Sequence, residues 1–288
     1  MNKILLTSLT LMLLTISSVV AQNVRRPQMW GIAKMTFLVS DMEMARDYYG
    51  RFLGYDEAFS YSSPLGTVVS FKVNDRQFLE FVVDKDAKQK KRLVSLSLET
   101  ESVSEMKQYL ESMGTKPSQI TLDGAGNEVC VVQDAGGNNI EFIDLKADGL
   151  HRKSKGKYIS ENRISKRIHH AGLYSPGELD DNDPFWIGVM KCWEIVRYPL
   201  EREEPGVIHY LGLVESTESI EHYTQRDENF SHPCFLVDDM QETIYTLKER
   251  RGKYQIGRPS IGRTKRWLLN LTNPDNTRVE FTEAFCIK

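Results

Sequence analysis

The sequence predicts an α+β protein made of four successive β-α-β-β-β units, and three observations carry that reading. A strand, a capped helix and a set of short strands recur in the same order four times. Glu141-Phe142 matches Glu280-Phe281 at an offset of 139 residues, and Leu93 matches His232 at the same offset, as an ancient duplication would leave. The length of 288 residues suits two domains, each holding two units.

Taken in order, Lys3 followed by the apolar run Ile4–Val20 and the small-residue site ending at Ala21 reads as a secretory signal peptide over 1–21. The mature chain is then expected to begin near Gln22, to be exported to a periplasmic or secreted location, and to lack stable membrane insertion. A first domain is expected over 28–147. Its first unit has a strand at Ile32–Ser40, a helix opened by Asp41 and stopped by Gly54, and strands near Ala58–Tyr61, Thr67–Val73 and Gln77–Val83. Its second unit has a strand at Leu93–Leu98, a helix opened by Ser102 with Glu105 completing a capping box, a stop at Gly114, and strands ending at Asn139–Leu145. Residues 148–167 form a basic stretch that reads as a solvated linker. A second domain is expected over 168–285, with strands at Ile168–Tyr174 and His232–Val237 and helices at Asp183–Cys192 and Asp239–Arg251.

Composition narrows the function. With 40% hydrophobic residues the chain can bury a sizeable core, so disorder is excluded. The balance of 37 basic against 40 acidic residues gives no field for nucleic acid. Cys130, Cys192, Cys234 and Cys286 are too widely spaced for a CxxC metal or redox motif; in an oxidising compartment they could pair in three ways, among which the sequence does not choose, and otherwise they read as buried free thiols. No Gly-rich phosphate loop, serine nucleophile elbow or nucleotide fingerprint is present. A small-molecule ligand is the expected partner, and the oligomeric state is left open.

The segments Phe37-Leu38-Val39-Ser40-Asp41, Tyr48-Tyr49, Leu53-Gly54-Tyr55, His232–Asp239, Asp134–Phe142 and Asn273–Phe281 recur in an order that resembles the vicinal-oxygen-chelate superfamily. That superfamily includes glyoxalase I, methylmalonyl-CoA epimerase, extradiol ring-cleavage dioxygenases and bleomycin-resistance proteins. The resemblance covers nearly the whole mature chain. It implies that paired units curl into two open, cup-shaped mixed sheets, with metal ligands projecting from the first and last strands of each unit.

Carried onto this sequence, those positions read His170, Glu221, His232 and Glu280 in the second half. Two imidazoles and two carboxylates suit one divalent ion (Fe, Ni, Co, Zn or Mn) with two positions left for a chelating substrate. In the first half the same positions read Lys34, Glu80, Leu93 and Glu141, so that domain is expected to be metal-free, with a Lys34–Glu salt bridge in the old cavity. Glu221 or Glu280 is the expected proton-transfer base, with Tyr174 and His222 as further catalytic candidates. Cys234, Arg263, Arg266 and Asn270 are the candidate substrate contacts, since Cys234 shares the inward face with His232 and the Arg258–Arg266 run offers cations to a carboxylate or phosphate. The function expected is an isomerase, epimerase or lyase acting on a small oxygenated molecule. Two alternatives stand beside it. One is an Fe(II) extradiol dioxygenase, although the resemblance places Glu221 and Asn270 where ring cleavage uses a histidine and a tyrosine. The other is a metal-free ligand-binding protein.

Overall fold

The computed structural model describes residues 24–200 and 206–286, so the expected signal peptide lies outside the described residues. The chain forms two eight-stranded mixed sheets with few helices. The first holds β1 (Met29–Val39), β2 (Asp56–Ser63), β3 (Gly66–Lys72), β4 (Phe78–Val83), β5 (Leu93–Thr100), β6 (Thr121–Leu122), β7 (Glu128–Gln133) and β8 (Asn139–Asp144). The second holds β9 (Ile168–Tyr174), β10 (Trp193–Tyr198), β11 (Ile208–Gly212), β12 (Ser219–Tyr223), β13 (His232–Val237), β14 (Ser260–Ile261), β15 (Arg266–Thr272) and β16 (Arg278–Cys286). Their strand orders, β2-β3-β4-β1-β5-β8-β7-β6 and β10-β11-β12-β9-β13-β16-β15-β14, are the same permutation. Each is two β-α-β-β-β units joined through their first strands, β1 against β5 and β9 against β13, both antiparallel.

The helices form where the sequence signals them. Asp41 caps α1 (Met42–Ala45), which widens into a π-helical turn over Arg46–Phe52 and stops at Gly54, whose φ of 81° only glycine adopts freely. Ser102 caps α2 (Val103–Ser112) by accepting from the Glu105 amide. The helix expected at Asp183–Cys192 is instead a 3-10 turn, Leu179–Asn182, running into a π-helical turn, Pro184–Val189. One hydrophobic core runs through both domains, from Met35 and Phe81 to Phe235 and Phe281.

Register corrects one correspondence between the halves. Lys34 sits opposite Ser97 and Ser97 beside Glu141, just as His170 sits opposite Cys234 and Cys234 beside Glu280. Ser97 is therefore the counterpart of Cys234, and Ser95, two residues earlier, is the counterpart of His232. The offset is 136 residues at β1, 137 at β5 and 139 at β8, so a single offset of 139 misplaced this position at Leu93 by one pleat repeat.

The segment expected as a solvated linker is folded against the first cup. It carries α3 (Leu150–Lys153), whose His151 is buried and bonds Glu80 Oε1 through Nε2 at 3.0 Å. Lys72 is buried beneath it, donating to the carbonyls of Ser154 and Lys157. Lys153, Lys155, Lys157 and Lys166 are exposed, but Arg152 pairs with buried Glu99 and the backbone and His151 close the cup.

Inside that cup Lys34 Nζ lies 3.0 Å from Glu80, 3.5 Å from Glu141 and 3.6 Å from Asp123, and Tyr61 donates to Glu80 at 2.6 Å. The expected Lys34 salt bridge is present, and a fixed ammonium sits among the two retained carboxylates. Burial opposes the charge on Glu80, but Lys34 and His151 outweigh it and hold the carboxyl far below its ordinary value of 4.5. Removing one partner of such a pair leaves uncompensated buried charge. We expect Lys34→Met to cost about 3–5 kcal/mol in urea unfolding, and Lys34→Met/Glu80→Gln/Glu141→Gln to be more stable than the single variant. Because the folded value of Glu80 is depressed, its contribution is complete above pH 4.5 and declines as pH falls below it. Wild type should therefore lose more stability than the triple variant between pH 6 and pH 3.

Candidate metal centre

In the second sheet the four central strands β12, β9, β13 and β16 are neighbours, and each contributes one side chain to a single point. His170 comes from β9, Glu221 from β12, His232 from β13 and Glu280 from β16, all buried. His170 Nε2 lies 3.4 Å from Glu221 Oε2 and 3.5 Å from Glu280 Oε1; His232 Nε2 lies 3.5 Å from Glu221 Oε2 and 3.9 Å from Glu280 Oε2. Glycine is required at the centre. Gly172 sits in register between Glu221 and His232, and a Cβ there would lie 2.1 Å from His232 Cε1. Its first-domain counterpart is Thr36, where no imidazole has to fit.

The test of whether a metal fits is what each of these side chains leaves unbonded. Glu221 Oε1 accepts from the Tyr210 hydroxyl at 2.9 Å, and Glu280 Oε2 accepts from Arg278. His232 Nδ1 donates to the Phe230 carbonyl at 2.8 Å, and His170 Nδ1 is 2.9 Å from His169 Nδ1. Burial holds His169 down to about 2, so it is neutral and able to accept from His170. One atom on each residue then has no partner: His170 Nε2, Glu221 Oε2, His232 Nε2 and Glu280 Oε1. Orphaned buried polar atoms are costly, and four facing one another are residues that could hold an ion. Ligand atoms about 2.1 Å from a common ion stand about 3.0 Å apart when cis and about 4.2 Å when trans, a range that brackets the four histidine–carboxylate separations.

The electrostatics agree. Burial and Arg278 push the His232 imidazole well below its ordinary value, leaving it neutral as a ligand must be. Burial and the neighbouring Glu221 charge push Glu280 up, a penalty that a divalent cation would offset. His170, His232 and Glu280 lie close enough together to share one ion.

A cleft of about 680 Å³ opens over the two carboxylates, walled by Tyr198, Tyr210, Tyr223, Arg226, Arg263 and Arg278 among others. Of the candidate substrate contacts, Arg263 lines it. Cys234 is buried in register between His170 and Glu280, with its thiol pushed well up by burial. Asn270 lies opposite Glu280 and accepts from Arg278 Nε at 2.7 Å. Arg266 is off the cleft wall, reaching the Glu283 carbonyl. Tyr174 is also off the wall, which its neighbour in register, Tyr223, occupies. His222 follows Glu221 and so points to the other face of β12. There it is buried against His209 at 2.9 Å and Asp134 of the first domain at 3.8 Å, away from the four donors.

Tyr210, Arg278 and His169, which hold the donors in place, were missed in the sequence. Tyr210 lies 11 residues before Glu221 on an adjacent strand, a separation that carries no local signal. We expect elemental analysis of the purified protein to find about one equivalent of a divalent transition metal, and none in His170→Ala/His232→Ala. Tyr210→Phe, which frees Glu221 Oε1, should weaken metal binding about 10–100-fold in competition with a chelator.

No family model and no curated protein matches the chain. Solved structures do. The 2,3-dioxygenase LapB from Pseudomonas sp. KL28 superposes with a TM-score of 0.71 at 15% identity, over 89% of this chain and 94% of that one. Homoprotocatechuate 2,3-dioxygenase from Brevibacterium fuscum, in an anaerobic complex with 3,4-dihydroxyphenylacetate, gives a TM-score of 0.66 at 13% identity, over 91% and 82%. At this distance the likeness speaks for the fold alone: the chain has the two-domain fold of these 2,3-dioxygenases.

Proposed function

We propose that this chain is a divalent-metal enzyme that chelates two adjacent oxygens of a small substrate and moves a proton beside them, as an isomerase, epimerase or lyase does. The observation that carries the proposal is that four buried residues on neighbouring strands each leave one polar atom unbonded, with the two imidazole nitrogens 3.4–3.9 Å from the two carboxylates. Four such donors leave two of six octahedral positions for substrate. When bound, the ion supplies Lewis acidity to those oxygens and makes the adjacent C–H more acidic. Glu221, at the floor of the cleft, would take that proton on Oε2 when this oxygen is detached from the ion, and return it, while Tyr210 holds Oε1 and fixes the plane of the carboxylate. Arg278 restrains Glu280 in the same way, and the buried strands β13 and β16 close the floor to water. With the leader removed, the enzyme would act outside the cytoplasm, where substrates activated by coenzyme A or glutathione are scarce.

The structural comparisons favour a second reading, extradiol ring cleavage with Fe(II), because the solved structures of this fold are dioxygenases. His170, His232 and Glu280 would form its two-histidine, one-carboxylate triad. Glu221 and Asn270 stand where the family resemblance places a histidine and a tyrosine. Oxygen uptake by the Fe(II)-loaded protein with catechol and 3,4-dihydroxyphenylacetate separates the two readings, set beside anaerobic solvent-deuterium exchange into a panel of hydroxy ketones and hydroxy acids. Exchange without oxygen consumption supports proton transfer, and stoichiometric uptake supports ring cleavage. For proton transfer, Glu221→Gln should retain metal and lose about 10²–10⁴-fold in turnover; full activity in that variant would overturn the role.

A further inference from the structure

The cleft above the metal centre is cationic in a chain whose formal net charge is −3. Five basic side chains line it: Arg197, Arg226, Arg263, Lys265 and Arg278. Two of them are committed elsewhere, Arg197 to Asp180 and Arg278 to Glu280. Among the described residues, Arg226, Arg263 and Lys265 have no carboxylate partner. Both arginines are nevertheless held in place by aromatic faces. The Arg263 guanidinium stacks 3.6 Å from the Tyr198 ring centroid and the Arg226 guanidinium 4.8 Å from that of Tyr223. Stacking leaves the in-plane N–H groups of a guanidinium free, which suits it to grip a planar or tetrahedral oxyanion.

Position matters as much as charge. Tyr198 ends β10, one edge of the second sheet, whereas Arg263 lies in the turn joining β14 to β15 at the other edge. The Arg263–Tyr198 stack therefore spans the mouth of the cup, and Glu221 and Glu280 lie within the same cleft. A ligand whose oxygens reach the donors on the central strands would extend toward these cations. We infer that the substrate is an anion: a molecule with two adjacent oxygens at one end and a carboxylate or phosphate at the other, the latter held by Arg226 and Arg263 with Lys265 beside them. This inference rests on the metal-enzyme reading for the chelating end only; the anion grip is a property of the cleft itself.

The test uses the full chain loaded with Mn(II) and three probes that share a 2-hydroxycarboxylate head: glycerate, malate with a carboxylate arm, and 3-phosphoglycerate with a phosphate arm. At least one charged arm should tighten binding about tenfold or more over glycerate, and whichever arm gains more identifies the oxyanion. The gain should shrink as salt is raised and fall to within about twofold in Arg226→Gln/Arg263→Gln, with Mn(II) affinity unchanged in that variant. Both arginines are exposed, so the variant is expected to fold, and its circular dichroism and melting curve check this. Equal binding of the three probes by wild type, or a gain that survives the double substitution, overturns the inference. Should wild type fail to bind Mn(II), the metal reading falls by itself. Inorganic phosphate binding to the metal-free chain, lost in the double variant, would then still support the anion grip, and its absence would overturn it.

Discussion

Two carboxylates facing each other inside a closed sheet cannot both stay ionised without a cation between them, and each half of this protein is organised around that constraint. The fold brings the first and last strands of paired units side by side, so one acidic residue from each unit meets the other at the centre of the cup. In the first domain Glu80 and Glu141 meet there with Lys34 between them. In the second, two imidazoles replace Lys34 and Ser95 around Glu221 and Glu280, and Arg278 engages the oxygen of Glu280 that leaves Oε1 bare. A tethered ammonium satisfies the first pair permanently. The second pair lacks a tethered ammonium among the described residues, and Glu221 Oε2 and Glu280 Oε1 are left bare.

This difference divides the labour between the halves. The first cup is filled: Lys34 occupies its centre, Tyr61 bonds Glu80, and His151 from α3 seals it. The second cup keeps its mouth open toward the cationic cleft. The filled half supports the open one through a shared core and paired polar contacts. Gln77 exchanges two hydrogen bonds with the backbone of Ile168 at the start of β9, and Ser40 and Arg92 bond Asp275 in the turn before β16. Asp134 reaches the reverse side of β12 at His222. Three of the four strands that carry the candidate donors are thus braced at their ends or backs by the first domain.

The elements were legible because their signals are local. Asp41, Ser102 and Asp239 each precede an amphipathic run and each caps a helix, and the strands Ile168–Tyr174 and His232–Val237 have the bounds that their apolar runs imply. That His170, Glu221, His232 and Glu280 cluster was legible for a different reason: the repeated units put them at equivalent places, so each could be located against its counterpart. Where the repeat spacing drifts, that comparison failed, as at Leu93 for Ser95. Where periodicity weakens, so did the helix at Asp183–Cys192, which the chain resolves into 3-10 and π-helical turns.

The sequence alone determined the tandem β-α-β-β-β architecture, the loss of both imidazoles from the first half and which four residues of the second come together, because strand period, helix caps and internal repetition are written in neighbouring residues. Only the tertiary structure decided that residues 148–167 close a cup, that His222 faces away from the centre, and that Tyr210, Arg278 and His169 each occupy one atom of a donor and leave the other bare. Those outcomes depend on strand register and on contacts between residues distant in the chain, where hydrogen-bond partners are chosen by geometry and leave no pattern along the sequence.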